Sequence, residues 1–98
     1  MTIEVRVRAQ ARTDIDRAAR WHESKQVGLG QEFLDEVEAA FARIADNPKS
    51  YAELHRSARR ALLRRFPFGV FYRLVGDVAV VVAVTHSSRD PNEWQRRT

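Results

Sequence analysis

The stretch FPFGVFYRLVGDVAVVVAVTHSSRDPNEW, residues 66–94, contains two long apolar runs on either side of Gly76-Asp77. Glycine in the first position of a two-residue turn supplies the positive φ that a tight β-hairpin requires. The sequence therefore predicts an antiparallel hairpin whose strands cover residues 68–75 and 78–85. An uninterrupted hairpin has the cross-strand pairs Val75–Val78, Arg73–Val80, Phe71–Val82, Gly69–Val84 and Pro67–His86.

The residues before this hairpin predict a strand, two helices and a further strand. Apolar and polar residues alternate from Ile3 to Ala9, which is the period of a half-buried strand. Thr13 is a suitable N-cap for a first helix, and a second helix is expected after Gly30. Asn47-Pro48 is expected to end the second helix, because the residue before a proline disfavours helical geometry. Residues 51–57 are expected to form a loop, and residues 59–66 a strand.

These elements follow the order β-α-α-β-β-β. The valine-rich strand 78–85 is apolar on both faces, which predicts that it lies in the interior of the sheet. We expect an α+β fold in which a helical hairpin packs on a mainly antiparallel four-stranded sheet. A chain of 98 residues suffices for one hydrophobic core, so residues 1–98 are expected to form a single domain.

The composition indicates a soluble globular protein, with 44% hydrophobic and 31% charged residues. The longest apolar run, residues 78–84, is too short to cross a bilayer, and the N-terminal residues lack the apolar core of a signal peptide. The chain contains no cysteine, which excludes disulfides and thiolate metal sites and agrees with a reducing compartment. We therefore expect a cytoplasmic protein with no membrane partner.

Positive charge is concentrated in the second half of the chain. Residues 1–55 contain eight Arg and Lys against ten Asp and Glu, a net charge of −2, whereas residues 56–98 contain nine Arg against three acids, a net charge of +6; together these give +4. The planar guanidinium group of arginine matches phosphate and carboxylate. The distribution indicates a basic face for nucleic acid or for an acidic protein segment, with an ordinary solvated surface as the alternative.

The sequence has no standard catalytic motif. His22, His55 and His86 lack metal-ligand spacing, and no phosphate-binding loop is present, so we expect neither a metal nor a cofactor. Any chemistry must therefore use arginine and histidine on a phosphate, because arginine stabilises phosphoryl oxygens and histidine transfers protons near neutral pH. The candidate catalytic residues are His86, Arg65 and Arg89. The alternative is that His86 is a hydrogen-bonded structural residue at the end of its strand.

The basic residues around the hairpin are also candidates for binding a target. The candidate target-binding residues are Arg59, Arg60, Arg64, Arg65, Arg73, Arg89 and Trp94. Arg59 and Arg60 must point to opposite faces of their strand, and the one that faces away from the helices is better placed to bind. For Trp94 the alternative is a packing role, in which it covers the end of the core after a turn or short helix that starts at Asp90-Pro91.

The segments RRALLRRFPFGVFYRLVGDVAVVVAVTHSSRDPNEW and GLGQEFLDEVEAAFARIADNP resemble the RelE/ParE superfamily of bacterial toxins. The shared pattern is an arginine-rich strand, Phe-Pro-aromatic, a Tyr-Arg strand, a valine strand and His-x-x-Arg-Asp-Pro-x-x-Trp. The resemblance covers nearly the whole chain, and the family has the same β-α-α-β-β-β order. It implies the toxin of a type II toxin–antitoxin pair, neutralised by a small cognate antitoxin that wraps around it.

The family has two main activities. RelE-like members cut messenger RNA on the ribosome, whereas ParE-like members poison DNA gyrase and have no nuclease site. This chain has Gly69 where RelE-like nucleases carry an arginine and Trp94 where some carry a tyrosine, while His86 is near a position where certain nucleases use a histidine. The resemblance therefore favours DNA gyrase as the target. A ribosome-dependent mRNA endonuclease is the alternative, and a non-toxic binding module or decayed toxin is the second alternative.

The same resemblance implies an antitoxin contact under each of these alternatives. Antitoxins of this kind add a strand or lay a helix against the toxin. The expected antitoxin-binding residues are Trp21, Phe33, Val37 and Phe41, together with the basic face of the sheet.

Overall fold

The structure is a computed structural model that describes residues 2–98. Its helices and strands are β1 (Glu4–Val7), α1 (Ala9–Lys25), α2 (Leu29–Asp46), β2 (Glu53–His55), β3 (Ala58–Leu62), β4 (Phe68–Val75), β5 (Val78–His86) and α3 (Asn92–Gln95). The sheet has the strand order β1-β5-β4-β3-β2. β1 is parallel to β5, and the other neighbours are antiparallel. The predicted α+β fold is confirmed, and β5 lies between β1 and β4 as expected.

The predicted strand count of four was wrong, because residues 53–55 form a fifth strand at the edge of the sheet. A tight turn joins β2 to β3, and its central residues Arg56 and Ser57 have φ of 48° and 66°. Positive φ at both central positions is the geometry of a hairpin turn, but it usually takes Gly, Asn or Asp. Because neither Arg56 nor Ser57 belongs to that set, this turn could not be predicted from its residue types. β3 is also shorter than predicted, ending at Leu62.

The first helix begins four residues before the predicted N-cap. α1 starts at Ala9, directly after β1, and Thr13 lies inside the helix, where its Oγ1 donates to the Ala9 carbonyl at 3.2 Å. A threonine hydroxyl can cap a helix or bond back to the preceding turn, so the residue type alone did not fix the start. α2 ends at Asp46, immediately before Asn47-Pro48, as predicted.

The α1–α2 connection is short and tightly packed. Gly28 precedes α2 with a φ of 90°, and the backbone N–H groups of Gly28 and Gly30 donate to the Glu23 carboxylate at 3.0 to 3.1 Å. The carboxylate thus satisfies amide groups that a helix N-terminus leaves without partners. At Gly30 an added Cβ would lie 2.7 Å from the Ala19 carbonyl oxygen, so only glycine allows the two helices to approach this closely.

The hairpin of β4 and β5 contains a β-bulge that was not predicted. Val75 pairs with Val78 and Arg73 with Val80, as expected, and Gly76 has a φ of 62°. Beyond that point Tyr72 pairs with Val81 but Phe71 pairs with Ala83, so Val82 is an extra residue in β5. The pairs predicted beyond the bulge were therefore wrong by one residue, and the observed pairs are Phe71–Ala83, Gly69–Thr85 and Phe68–His86.

The helices cover one face of the sheet, and we call the opposite face the open face. The main core lies between α1, α2 and the sheet and includes Phe33, Ile44 and Tyr72. The Tyr72 hydroxyl donates to the Pro48 carbonyl at 2.6 Å, and burial raises the pKa of Tyr72 to about 12. The bulge places both Val82 and Ala83 in a second, smaller cluster on the open face.

Trp94 of α3 packs on the open face and completes this smaller cluster. Its ring is 7% exposed and is stacked on Phe71 with the ring centroids 4.2 Å apart. α3 follows Asp90-Pro91, and the Asp90 carboxylate accepts a hydrogen bond from the Asn92 amide at 3.0 Å. The expected packing role of Trp94 is confirmed, whereas α3 begins at Asn92 with Pro91 as its N-cap, one residue later than a start at Asp90-Pro91 predicts. Within residues 2–98, no helix combines the length and apolarity that crossing a membrane requires.

Candidate functional site

His86 lies at the end of β5, and the bulge determines its orientation. One extra residue reverses which face the following side chains occupy, so His86 pairs with Phe68 and lies on the helix side of the sheet. The rings of Phe68 and His86 are 5.2 Å apart in an edge-on arrangement. Without the bulge, His86 would pair with Pro67 and point to the open face.

The hydrogen bonds of His86 also fix the position of its ring proton. The Ser88 backbone N–H donates to Nδ1 at 3.0 Å, and the Ser88 hydroxyl lies 2.8 Å from the same nitrogen. A backbone amide can only donate, so Nδ1 is the acceptor and the proton of the neutral ring is on Nε2. The lone pair that a general base needs is therefore already engaged.

Arg65 is held against α2 rather than beside His86. Its guanidinium group lies 3.2 Å from the Glu32 carboxylate and 3.5 Å from the Glu36 carboxylate. Glu36 also accepts hydrogen bonds from the backbone amides of Arg64 and Arg65 at 2.9 and 3.2 Å. The hydrogen bond from the Arg64 amide lowers the pKa of Glu36 below 4.5, against an opposing effect of burial. The segment after β3 is thus tied to α2 by a carboxylate, and Arg65 does not line either cavity near His86.

Arg59 and Arg60 occupy opposite faces of β3, as the strand geometry predicted. The Arg59 guanidinium is on the helix side, where it donates to the Tyr51 and Lys49 carbonyls and pairs with Glu53 at 3.1 Å. Its side chain is only 15% exposed, so Arg59 fixes the loop before β2. Arg60 is exposed on the open face, and its guanidinium group has no hydrogen bond or ion pair to any of residues 2–98.

The candidate target-binding residues do not form one surface. Arg73 lies near the C-terminus, donating to the Thr98 carbonyl at 3.3 Å, and Arg89 lies beyond β5, 3.4 Å from Glu93. Trp94 is buried and Arg59 is enclosed by its partners, whereas Arg64 and Arg65 lie beside α2. Only Arg60 and Arg89 line the same cavity on the open face, with Trp94 at its base.

A groove of about 1000 Å³ lies between α1 and the end of β5, and we call it the α1–β5 groove. α1 contributes residues at helical spacing, among them Arg17 and Trp21, and the other wall includes Phe68, His86 and Arg96. Trp21 is 59% exposed. Sequence reasoning missed Arg17 and Arg96. The spacing of Gln10, Asp14, Arg17 and Trp21 along one face of α1 was the available signal.

The groove runs along the part of β5 beyond Val81, where no strand formed by residues 2–98 pairs with its outer edge. β1 ends at Val7, opposite Val81, and two side chains take over its hydrogen-bonding role beyond that point. Asp14 accepts from the Val84 amide at 3.0 Å, and Arg97 donates to the Val82 carbonyl at 3.1 Å. Asp14 and Arg97 are themselves joined at 2.6 Å, which closes the edge with an ion pair.

Three of the four expected antitoxin-binding residues lie in the core. Phe33 and Val37 are 0% and 2% exposed, and Phe41 is 9% exposed, so they support α2 from inside. Trp21 is the exposed member of the set, and it lies in the α1–β5 groove.

A second cavity of about 200 Å³ lies on the open face beneath α3, here called the open-face cavity. Arg60, Thr85, Ser87 and Arg89 line it, and Phe71 and Trp94 form its apolar base. The Arg60 side chain lies across Gly69, where an added Cβ would be 3.1 Å from the Arg60 Cγ and Cδ atoms. The absence of a side chain at Gly69 thus leaves space for Arg60.

Comparison with models of protein families identifies the family of this chain. The model of the ParE toxin of type II toxin–antitoxin systems, parDE, matches residues 5–91. The chain belongs to the ParE toxin family. It is therefore a toxin of the type II toxin–antitoxin class, within the RelE/ParE superfamily. A comparison with curated protein sequences found no match.

Three solved structures have folds similar to that of this chain. The chromosomal ParDE system from P. aeruginosa has a TM-score of 0.72 at 14% identity, covering 87% of this chain and 96% of that one. The RelBE2 toxin–antitoxin complex from Mycobacterium tuberculosis has a TM-score of 0.63 at 22% identity, with coverage of 88% and 99%. A mutant E. coli RelE toxin in the free state has a TM-score of 0.60 at 13% identity, with coverage of 99% and 94%.

Proposed function

We propose that this ParE-family toxin inhibits growth in the cytoplasm by poisoning DNA gyrase, and that a cognate antitoxin neutralises it. The main support is the bulge at Val82, which turns His86 away from the open face and towards Phe68. His86 is the one residue among the three nuclease candidates that can transfer a proton near neutral pH. His86 borders the open-face cavity, but its ring packs against Phe68 and its Nδ1 accepts from the Ser88 amide, so a nuclease site on the open face would lack a free general base.

The other two nuclease candidates, Arg65 and Arg89, also argue against a nuclease site. Arg65 is paired with two carboxylates of α2, and Arg89 is near Glu93. A phosphate clamp needs guanidinium groups that converge on one point, because transition-state stabilisation depends on donors placed in advance. The side chains of His86, Arg65 and Arg89 instead interact with three different parts of the chain, so they do not converge on one phosphate position.

The test is a supercoiling assay with purified toxin, gyrase and plasmid DNA. We expect cleaved DNA–gyrase complexes to accumulate as the toxin concentration rises, and the double mutant His86→Ala/Arg65→Ala to trap them as well as the wild type does. Normal supercoiling at a large excess of folded toxin contradicts the proposal.

The ribosome-dependent nuclease alternative has a separate test. If His86 cuts messenger RNA, His86→Ala abolishes growth inhibition and translation stops before DNA synthesis does. If gyrase is the target, His86→Ala remains toxic and DNA synthesis stops first. A chain that causes no growth defect when expressed alone supports the third alternative, a non-toxic binding module.

We place the antitoxin contact in the α1–β5 groove. The groove has an exposed tryptophan and two arginines, Arg17 and Arg96, that are paired with no carboxylate among residues 2–98. These features suit an acidic segment with an apolar anchor. We expect Trp21→Ala to weaken the complex with the cognate antitoxin by about tenfold or more, in line with tryptophan as an interface anchor. The control is Val27→Ala, which removes an exposed apolar side chain outside the groove. Equal affinity of the Trp21→Ala protein and the wild type contradicts this placement.

A further inference from the structure

We propose that the open-face cavity binds one phosphodiester group of DNA and holds it without cleaving it. This inference rests on the proposed function, since a toxin that poisons gyrase meets that enzyme on DNA. It adds a contact between the toxin and DNA to the proposed contact between the toxin and gyrase.

Arg60 is the residue that carries the inference. Its guanidinium group is exposed and without a partner among residues 2–98, although Arg59 next to it has two carbonyls and a carboxylate as partners. The Arg60 stem is packed over Gly69, at 3.1 Å from where a Cβ would be. The guanidinium is therefore presented at a defined place on the open face, and its fork geometry suits two phosphate oxygens.

The other residues around the cavity favour an anion. Thr85 and Ser87 supply hydroxyl groups, Arg89 supplies a second guanidinium, and neither Asp nor Glu lines the cavity within residues 2–98. The volume of about 200 Å³ is several times the roughly 30 Å³ that one water takes up in the liquid, so a phosphate group has room.

One carboxylate near the cavity competes with such an anion. Glu93 lies 3.4 Å from Arg89, and both side chains are exposed, so this pair is weak. Arg89 can turn from Glu93 towards a bound phosphate at little energetic cost. Within the part of the chain that the structure describes, Arg60 is paired with no carboxylate.

The same geometry explains binding without cleavage. The bulge places Thr85 on the open face and turns the His86 ring to the helix side, where Nδ1 accepts from the Ser88 amide. His86 also lines the cavity, but its Nδ1 already accepts from the Ser88 amide and its Nε2 carries the ring proton, so it offers no free lone pair to a bound phosphate. A bound phosphodiester meets no general base here.

The test uses the toxin alone, without gyrase, so that its outcome is separate from that of the supercoiling assay. Fluorescence anisotropy with a short labelled duplex DNA measures the dissociation constant over a range of salt concentrations. We expect Arg60→Gln to weaken binding by about tenfold and to lower the slope of log K against log salt by about 1, as for one lost phosphate contact. The matched control is Arg20→Gln, which removes the same charge from the exposed surface of α1 and is expected to change the affinity less than about threefold.

NMR spectra distinguish the possible anions. We expect duplex DNA to shift the Arg60 Nε–H and the Ser87 amide resonances. Shifts with inorganic phosphate but not with DNA, or tighter binding of RNA than of DNA, overturn the proposal. Equal losses in Arg60→Gln and Arg20→Gln overturn it as well, because they indicate diffuse charge attraction. DNA binding at Arg60 without gyrase poisoning leaves the cavity assignment intact and contradicts the proposed function instead.

Discussion

Arg59 and Arg60 are neighbours in β3, but their surroundings give them different roles. The Arg59 guanidinium has three oxygen partners and joins the β2 segment to the sheet, so its removal would leave carbonyl groups without donors. Arg60 has no such partner among residues 2–98, and its charge faces solvent on the open face. Two residues of one type can thus differ in function because a strand alternates its faces.

Tyr72 shows how a single buried hydroxyl contributes to stability. We expect Tyr72→Phe to lower the free energy of unfolding by about 1 to 2 kcal/mol near neutral pH, because the Pro48 carbonyl loses its donor. The raised pKa, about 12, means that the folded state keeps the phenol proton when the unfolded chain loses it near pH 10. The stabilisation is therefore complete below about pH 10 and is lost as the pH rises towards 12.

Urea unfolding at neutral pH and at about pH 11 tests this prediction. The wild type should lose more stability than Tyr72→Phe over that interval, so the difference between the two proteins narrows. Tyr51 is present in both proteins and serves as an internal control. Parallel losses at the two pH values would contradict the assignment to Tyr72.

At the scale of helices, the contact between α1 and α2 depends on Gly30. Alanine is a better helix former than glycine by about 1 kcal/mol, so an ordinary helical position would gain stability from Gly→Ala. Here the new Cβ would lie 2.7 Å from the Ala19 carbonyl oxygen and 3.0 Å from a Glu23 carboxylate oxygen. We expect Gly30→Ala to destabilise the protein by about 1 to 3 kcal/mol, because the backbone of α1 must move.

Chemical denaturation measures this loss. Glu38→Ala is the control, since it makes an exposed alanine on the same helix and is expected to change stability by about 0.5 kcal/mol or less. If the Gly30→Ala protein is as stable as the wild type, α1 and α2 can move apart without loss of folding stability, which contradicts the prediction.

The elements that the sequence predicted well have a local signal. α2 has a helical apolar period and ends before Asn47-Pro48, and the β4–β5 turn has glycine where a positive φ is needed. The bulge at Val82 has no such signal, because a strand of consecutive valines is apolar on both faces and fits either register. Since the bulge decides the side on which His86 lies, the arrangement of the candidate site could not be predicted from the sequence.

For the whole molecule, the Asp14–Arg97 pair joins three separate parts of the chain. It links α1, β5 and the C-terminal residues, and each partner also bonds the β5 backbone. Both side chains are mostly buried, at 15% and 22% exposed, so removal of one leaves the other poorly solvated. We expect Asp14→Asn and Arg97→Gln each to destabilise the protein by about 1 to 3 kcal/mol.

A double-mutant cycle measures the interaction energy between Asp14 and Arg97 separately from the contribution of each residue alone. The double mutant should be more stable than the sum of the two single losses implies, with a coupling energy of at least about 0.5 kcal/mol. Additive losses would show that the two side chains stabilise β5 independently. Arg20→Gln, an exposed arginine on α1, serves as the charge control.

The extra residue Val82 shows how little separates two different surfaces in this toxin. Deleting Val82 would leave Phe71 opposite Ala83 and Phe68 opposite His86, so Thr85 and His86 would keep their present sides. If the full-length strand instead slipped by one residue and paired without the bulge, His86 would turn to the open face and Thr85 away from it. An alternative alignment of two strands, with no change in the gene, would thus give the open face a different chemistry.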